Sequence, residues 1–178
     1  MKPIRARYSK IERIVRELLR KNNIKSPPVP VDKIANCSGA ELVIKPFNKE
    51  ISGVLLRTGE RIIIGVEKNQ PSTRQRFTIS HELAHLLLHD GEEIRIDQNF
   101  RINLRPSEAS DGADIEEIEA NAFAASLLMP EEFLRRDLSN IVLDLESPHQ
   151  VQHLARRYQV STQAMTFRLM ALLSLGRI

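Results

Sequence analysis

Apolar residues recur at helical spacing near the start of the chain, and a proline-rich segment follows them. Isoleucine, valine and leucine in residues 9–22 lie three and four positions apart, which predicts an amphipathic helix capped by Ser9. Residues 26–31 contain three prolines, so we predict an extended connector there. A short helix over residues 32–36 is expected to follow.

Three short runs rich in β-branched residues come next and predict strands. They cover residues 41–46, 51–57 and 61–66. The turn residues 58–60, Thr-Gly-Glu, lie between the last two runs and predict a hairpin. We therefore expect a small antiparallel or mixed sheet of about three strands.

Helical patterns dominate the second half of the chain. A long helix is predicted from Ser72, which forms a capping-box pattern with Gln75, to a stop at Gly91. Residues 92–112 are polar and weakly patterned, which predicts a long loop. Further helices are predicted over about 114–129, 131–137, 149–158 and 161–174. The order of elements indicates an α+β fold that is mainly helical.

Composition narrows the class of protein. The chain of 178 residues suits one domain with a small appendix, and we expect a core over residues 1–135 and a helical segment over 136–178. A hydrophobic fraction of 42% supports a packed core, and a net charge of +3 is too small to demand a nucleic-acid partner. The single cysteine excludes an internal disulfide and a cysteine-built zinc site. Without a signal-peptide pattern or a run of roughly 20 apolar residues, we expect a cytoplasmic protein with no membrane span.

The most specific chemical signal is His81-Glu82-Leu83-Ala84-His85. Helix positions four apart lie about 40° apart around the axis and about 6 Å along it, so the two imidazoles can bind one metal ion. Glu82 then lies beside the metal, where its carboxylate can deprotonate a water molecule. Two structural histidines are the alternative, but their apolar surroundings favour a compensating cation.

A catalytic zinc site requires a third protein ligand. His89 is about 12 Å from the first histidine along a straight helix, so we expect it to pack or hydrogen-bond beside the site instead. The alanine-rich helix downstream offers Glu116, Glu117 and Glu119, and spacing alone does not choose among them. Glu117 shares a face with Asn121, which places a ligand and a hydrogen-bond partner for an imidazole on one side.

Two segments together resemble a known family. FTISHELAHLLLH, residues 77–89, and EIEANAFAASLLMP, residues 117–130, resemble the ImmA/IrrE family of metallopeptidases. The resemblance covers about residues 9–135. It implies a zincin-like fold of the gluzincin type, with a small sheet beside the HExxH helix.

The resemblance also implies roles for individual residues. It makes His81, His85 and Glu117 the ligands of one zinc ion per chain, and it makes Glu82 the general base. The implied activity is that of a zinc-dependent endopeptidase acting on a partner regulator, typically one bearing a helix-turn-helix. Some family members belong to toxin–antitoxin modules.

Other functions compete with this interpretation. Residues 154–169 resemble a helix-turn-helix in which Arg156, Arg157 and Arg168 would contact phosphates, although a helical hairpin closing the core is favoured. A metal-bound scaffold that controls its partner by binding alone is a further alternative. The sequence does not identify the group that stabilises the oxyanion. The residues considered for this role are His149, His153, Tyr8 and Tyr158.

Overall fold

The computed structural model describes residues 5–47, 51–90, 93–98, 112–139 and 148–178, which contain seven helices and four strands. The helices are α1 (Tyr8–Lys21), α2 (Val31–Cys37), α3 (Ser72–Leu88), α4 (Gly112–Leu128), α5 (Glu131–Leu138), α6 (Pro148–Tyr158) and α7 (Thr162–Ser174). The strands are β1 (Ala40–Lys45), β2 (Ile51–Arg57), β3 (Ile62–Glu67) and β4 (Ile94–Gln98). The predicted α+β class is confirmed.

The four strands form one mixed sheet in the order β1-β3-β2-β4. β1 runs parallel to β3, whereas β2 is antiparallel to both β3 and β4. The predicted hairpin between β2 and β3 is confirmed, and Thr58 and Arg61 exchange backbone hydrogen bonds across its turn. All three predicted strands are therefore present, together with a fourth.

β4 corrects the expectation of a continuous loop over residues 92–112. Ile94 and Ile96 alternate with Arg95 in the short strand and pair across to β2. Both isoleucines are about half exposed, and β4 lies at the edge of the sheet. The remainder of the predicted loop, residues 99–111, lies outside the described residues.

The predicted caps of α1 and α3 are wrong. The carbonyl of Arg7 accepts the first hydrogen bond of α1, so Ser9 lies inside the helix. The carbonyl of Pro71 does the same for α3, and the Gln75 side chain donates to carbonyls before the helix at 2.8 and 2.9 Å. The predicted stop at Gly91 lies outside the described residues, and α3 ends at Leu88.

The other helix predictions agree with the structure within one or two residues. The side chain of Ser161 caps α7 by accepting a hydrogen bond from the backbone of Ala164 at 3.1 Å. Residues 26–30 of the predicted extended connector are free of helix, whereas its last residue, Val31, begins α2. Among the described residues, no helix is long and apolar enough to cross a membrane.

The position of α3 determines where the candidate site forms. This helix packs against β2 and β3 of the sheet and against α2 and α4. It is consequently buried without a break from Phe77 to His85. Polar side chains in this stretch are thus held in an aliphatic interior rather than on a solvated face.

Candidate metal centre

The structure brings together three of the predicted site residues, His81 and His85 from α3 and Glu117 from α4. The Nε2 atoms of the two histidines are 2.9 Å apart, and each lies 3.4 Å from a carboxylate oxygen of Glu117. One ligand atom from each residue lies within 4.8 Å of the others. Both imidazoles are buried, whereas the Glu117 side chain is 35% exposed and marks the accessible side.

The partners of the two rings indicate where their protons lie. The Asn121 amide oxygen is 3.1 Å from Nδ1 of His81, so that nitrogen donates. Nδ1 of His85 lies 2.9 Å from Nδ1 of His89, whose Nε2 is 3.0 Å from a carboxylate oxygen of Glu119. Because a carboxylate accepts only, His89 donates through Nε2 and accepts from His85. Both rings therefore present an Nε2 lone pair to the candidate site.

This arrangement fits a bound metal ion. Two imidazole lone pairs and a carboxylate facing one another repel unless a cation lies between them. Zinc binds imidazole nitrogen at about 2.0–2.1 Å, and two histidines with one glutamate form a known catalytic donor set. The residues present thus fit the zinc ion that the sequence implies.

Burial and neighbouring charge keep the donors in the forms that bind metal. Burial lowers the pKa of His85 to about 4, a shift that the Glu117 carboxylate only partly offsets. The carboxylate of Glu117 pairs with the guanidinium of Arg95, and this neighbouring positive charge favours its ionised form. Neutral imidazoles and an ionised carboxylate are the ligand forms that a metal requires.

The structure distinguishes among the three candidate glutamates. Glu117 alone of the three contacts the His81 and His85 rings in the described contacts, at 3.4 Å. Glu119 instead binds His89 and Arg7, and these bonds outweigh the effect of its burial and lower its pKa to about 2. The resemblance and the geometry thus agree on Glu117 as the acidic donor.

Glu82 is fully buried and lies against Gly53 of β2. A Cβ atom added at Gly53 would overlap Oε1 of Glu82 and lie 2.6 Å from Cγ2 of Thr78. The register of β2 against β4 shifts between Ile51 and Gly53, beside this contact. Sequence reasoning missed Gly53, although a glycine inside a strand pattern signals close approach of another element.

Arg95 is a second residue that the sequence analysis missed. Its guanidinium pairs with the carboxylate of Glu117, and its Nη1 lies 3.6 Å from Glu116. The side chain comes from β4, which the sequence pattern assigned to a loop. Arg95 therefore places a positive charge on the exposed side of the metal centre.

The structure shows the surroundings of the four candidates for oxyanion stabilisation. His149 and His153 line an apolar cavity of about 250 Å³ with Leu138 and Leu154. Tyr158 is buried, and its hydroxyl donates to Asp137 at 2.8 Å. Tyr8 begins α1 and is about half exposed.

The three arginines of the alternative DNA-binding interpretation do not share one exposed face. Arg168 is largely buried, donates to the Met129 carbonyl at 3.2 Å and lies 3.5 Å from Glu12. Arg157 pairs with Asp137 at 3.0 Å. The side chain of Arg168 therefore joins helices inside the molecule, which agrees with the favoured helical hairpin and not with the alternative in which Arg168 contacts phosphate.

An HExxH helix against a sheet, with a glutamate supplied by the next helix, defines a metallopeptidase-like domain. A family model described as Peptidase_M78, IrrE N-terminal-like domain, matches residues 35–170. The chain belongs to this family, which confirms the resemblance to ImmA/IrrE metallopeptidases. Family membership supports a metallopeptidase-like or regulator-associated role.

The fold is similar to that of a solved structure described as a Mycobacterium tuberculosis transcriptional regulator. The similarity has a TM-score of 0.61 at 14% sequence identity and covers 90% of this chain and 46% of the other. The chain thus spans about half the length of that protein. No curated protein matches the sequence.

Proposed function

We propose that this protein is a zinc-dependent endopeptidase that hydrolyses a peptide bond in a partner regulator, with a helix-turn-helix repressor as the expected substrate. The convergence of His81, His85 and Glu117 beside Glu82 carries this proposal. Membership of the Peptidase_M78 family supports the reaction class, and the regulator among similar structures supports a regulator-related partner. The cytoplasmic location expected from the sequence stays a prediction.

Individual residues have different roles in the proposed hydrolysis. His81, His85 and Glu117 would hold a zinc ion, which when bound supplies Lewis-acid activation of water and of the scissile carbonyl. Glu82 takes a proton from the attacking water and passes it to the leaving amine. Asn121 orients the His81 ring through its amide oxygen, which leaves Nε2 directed at the site.

Arg95 assists by orienting the acidic ligand. Its guanidinium pairs with Glu117 from the edge strand, on the side of the site that solvent reaches. A carboxylate held in this way keeps one geometry instead of sampling several. The same charge also favours the ionised form of Glu117.

A metal-bound protein that acts on its partner by binding alone is a second candidate. The observation in its favour is the complete burial of Glu82, since a general base must be reached by water and substrate. The donor set would then stabilise the fold or shape a docking surface without hydrolysis.

For the C-terminal segment, residues 136–178, we propose a role in closing the core formed by residues 1–135. The buried Arg168 joins this segment to the Met129 carbonyl, and Arg76 donates to the carbonyl of Gln159 at 3.2 Å. These contacts support a packed helical hairpin rather than a DNA-reading unit.

The decisive experiment compares the wild type with Glu82→Gln and Glu132→Gln, using zinc-loaded protein and a helix-turn-helix regulator encoded beside it. Glu132 is exposed on α5 and provides the matched control. We expect the wild type and Glu132→Gln to cleave the regulator, while Glu82→Gln retains zinc and loses about 10²–10⁴-fold in rate. Cleavage by Glu82→Gln at the wild-type rate contradicts the proposal. Binding of the regulator by all three proteins without cleavage supports the scaffold instead.

A further inference from the structure

A continuous series of hydrogen bonds connects the metal centre to Arg7, the residue that precedes α1. The backbone N–H and Nε of Arg7 donate to Oε1 of Glu119 at 2.6 and 2.9 Å, and its Nη2 donates to Oε2 at 2.7 Å. Three donors of one residue thus hold both oxygens of a carboxylate that is fully buried. Arg7 lies outside the part of the chain that the family model matches.

The carboxylate of Glu119 then determines the orientation of two histidine rings. Its Oε2 accepts from Nε2 of His89 at 3.0 Å, which leaves Nδ1 of His89 as an acceptor. Nδ1 of His85 lies 2.9 Å away and must donate. In neutral imidazole only one nitrogen carries a proton, so Nε2 of His85 keeps its lone pair for the metal centre.

Arg7 also holds the end of the helix that carries these rings. Its Nη2 donates to the carbonyl of Leu88 at 3.2 Å, the last residue of α3. Arg57 donates to the carbonyls of His85 and His89 at 2.7 and 3.2 Å. Two guanidinium groups therefore fix the last turn of α3 beside the metal centre.

We propose that Arg7, Glu119 and His89 are positioning residues that hold the His85 ring in the tautomer and orientation needed to bind metal. This inference rests on the metal centre of the proposed function and extends it to a residue before the family domain. Metal-binding histidines commonly donate their second nitrogen to a carboxylate. Here His89 is inserted between the two groups, and Arg7 keeps the distant carboxylate in place.

The hydrogen bonds made at position 7 require arginine, and another positively charged side chain does not suffice. A guanidinium presents its donors in a planar fork, and Arg7 uses that fork for both Glu119 oxygens and the Leu88 carbonyl. A lysine keeps the charge but supplies a single flexible ammonium group. Arg7→Lys is therefore expected to disturb the position of the His85 ring less than Arg7→Ala does. Neither variant is expected to hold the ring as well as the wild type.

The test measures zinc affinity of the 178-residue chain by competition with a chromophoric chelator, without an assay of cleavage. Arg16 on α1 is exposed and donates only to its own helix in the described contacts, so Arg16→Ala is the matched control. We expect Arg7→Ala to bind zinc about 10–100-fold more weakly, Arg7→Lys to lie between it and the wild type, and Arg16→Ala to match the wild type.

A second readout follows the histidine rings in the zinc-free protein. Long-range ¹H–¹⁵N NMR should show His85 protonated at Nδ1 in the wild type and a mixture of tautomers in Arg7→Ala. If Arg7→Ala fails to fold, Glu119→Gln is measured instead, because its amide sets an NH₂ group against an Arg7 or His89 donor while keeping the side-chain shape.

The outcomes separate this inference from the proposed function. Zinc affinity of the folded variant within twofold of the wild type, with an unchanged His85 tautomer, overturns the positioning role and leaves the metal centre intact. A wild-type chain that binds no zinc instead overturns the proposed function and the inference together.

Discussion

At the residue scale, Gly53 is as important to the candidate site as the charged side chains. β2 lies so close to α3 that a methyl group at this position would overlap the Glu82 carboxylate. The absence of a side chain therefore lets the sheet and the HExxH helix meet at the proposed general base. Gly53 permits this contact between β2 and α3 although it has no side chain that could take part in a reaction.

Gly53→Ala should accordingly abolish most of the cleavage activity while the protein stays folded. Overpacking of this kind costs about 1–3 kcal/mol, which a folded domain tolerates, but the displaced carboxylate no longer meets the water. Gly59→Ala is the control, since an added Cβ there meets no heavy atom within 4 Å. Cleavage rates and urea unfolding of both variants check this prediction. An active Gly53→Ala variant would contradict the assigned position of Glu82.

The burial of His85, one of the proposed metal ligands, predicts a fold that is sensitive to acid in the absence of metal. The pKa of His85 is lowered by burial to about 4, whereas a histidine in an unfolded chain titrates near 6.5. Between these values the unfolded chain binds more protons, so the free energy of unfolding falls as pH falls from 6.5 to 4. The lowered pKa of Glu119 adds a further loss below about 4.5.

Urea unfolding of chelator-treated protein at several pH values between 7 and 4 measures this dependence. His85→Gln removes the titrating ring and should give a shallower decline over the same range. A free energy of unfolding that stays constant or rises on acidification would show that His85 is not held neutral by burial.

At the scale of elements, the site depends on how closely α3 and α4 approach. Glu117, Asn121 and Ala124 share a face of α4, and Asn121 contacts His81 on α3. Ala124 is fully buried, so its small side chain permits the close packing that brings Glu117 to the rings. The alanine content noted in the sequence thus has a structural role.

Ala124→Leu should separate the two helices and weaken metal binding. We expect a loss of about 1–3 kcal/mol in the free energy of unfolding, together with lower zinc affinity because Glu117 moves away from the histidines. Ala171→Leu, at an exposed position of α7, is the control. Zinc titration and urea unfolding distinguish the variants. Unchanged zinc affinity in Ala124→Leu would show that helix spacing does not limit the site.

The buried contacts of Arg168 should stabilise the packing of α7 against the rest of the molecule. Its burial against Glu12 and the Met129 carbonyl means that Arg168→Met should lower stability by about 1–3 kcal/mol, because polar groups lose a buried donor. Arg156→Ala, at an exposed position, should leave stability unchanged. The midpoint of urea unfolding checks both. An unaltered midpoint for Arg168→Met would mean that the buried contacts do not join α7 to the core.

At the scale of the whole molecule, local patterns predicted most of the elements and the two histidines of the candidate metal centre. Residues four positions apart lie on one face of any α-helix, so the pairing of His81 with His85 can be predicted without knowledge of distant contacts. Glu117 required the family resemblance, because neighbouring glutamates were equivalent by spacing. The short edge strand β4 escaped detection, since its isoleucines are exposed and its alternation covers only five residues.

Long-range contacts account for what the sequence could not show. Arg7 and Glu119 are 112 positions apart, and no spacing rule connects them. Arg95 reaches Glu117 only because β4 adds to the sheet beside β2. Pairings of this kind depend on the folded chain, whereas the motif helix and its ligands depend on local periodicity.

The most direct test of the metal centre is the zinc content of the 178-residue chain after loading and exhaustive dialysis. The wild type and Glu116→Gln should each retain about one zinc ion per chain, whereas Glu117→Gln should lose most of its zinc under the same conditions. A wild type without zinc, or a Glu117→Gln variant that retains one ion with unchanged affinity, would contradict the metal centre formed by His81, His85 and Glu117.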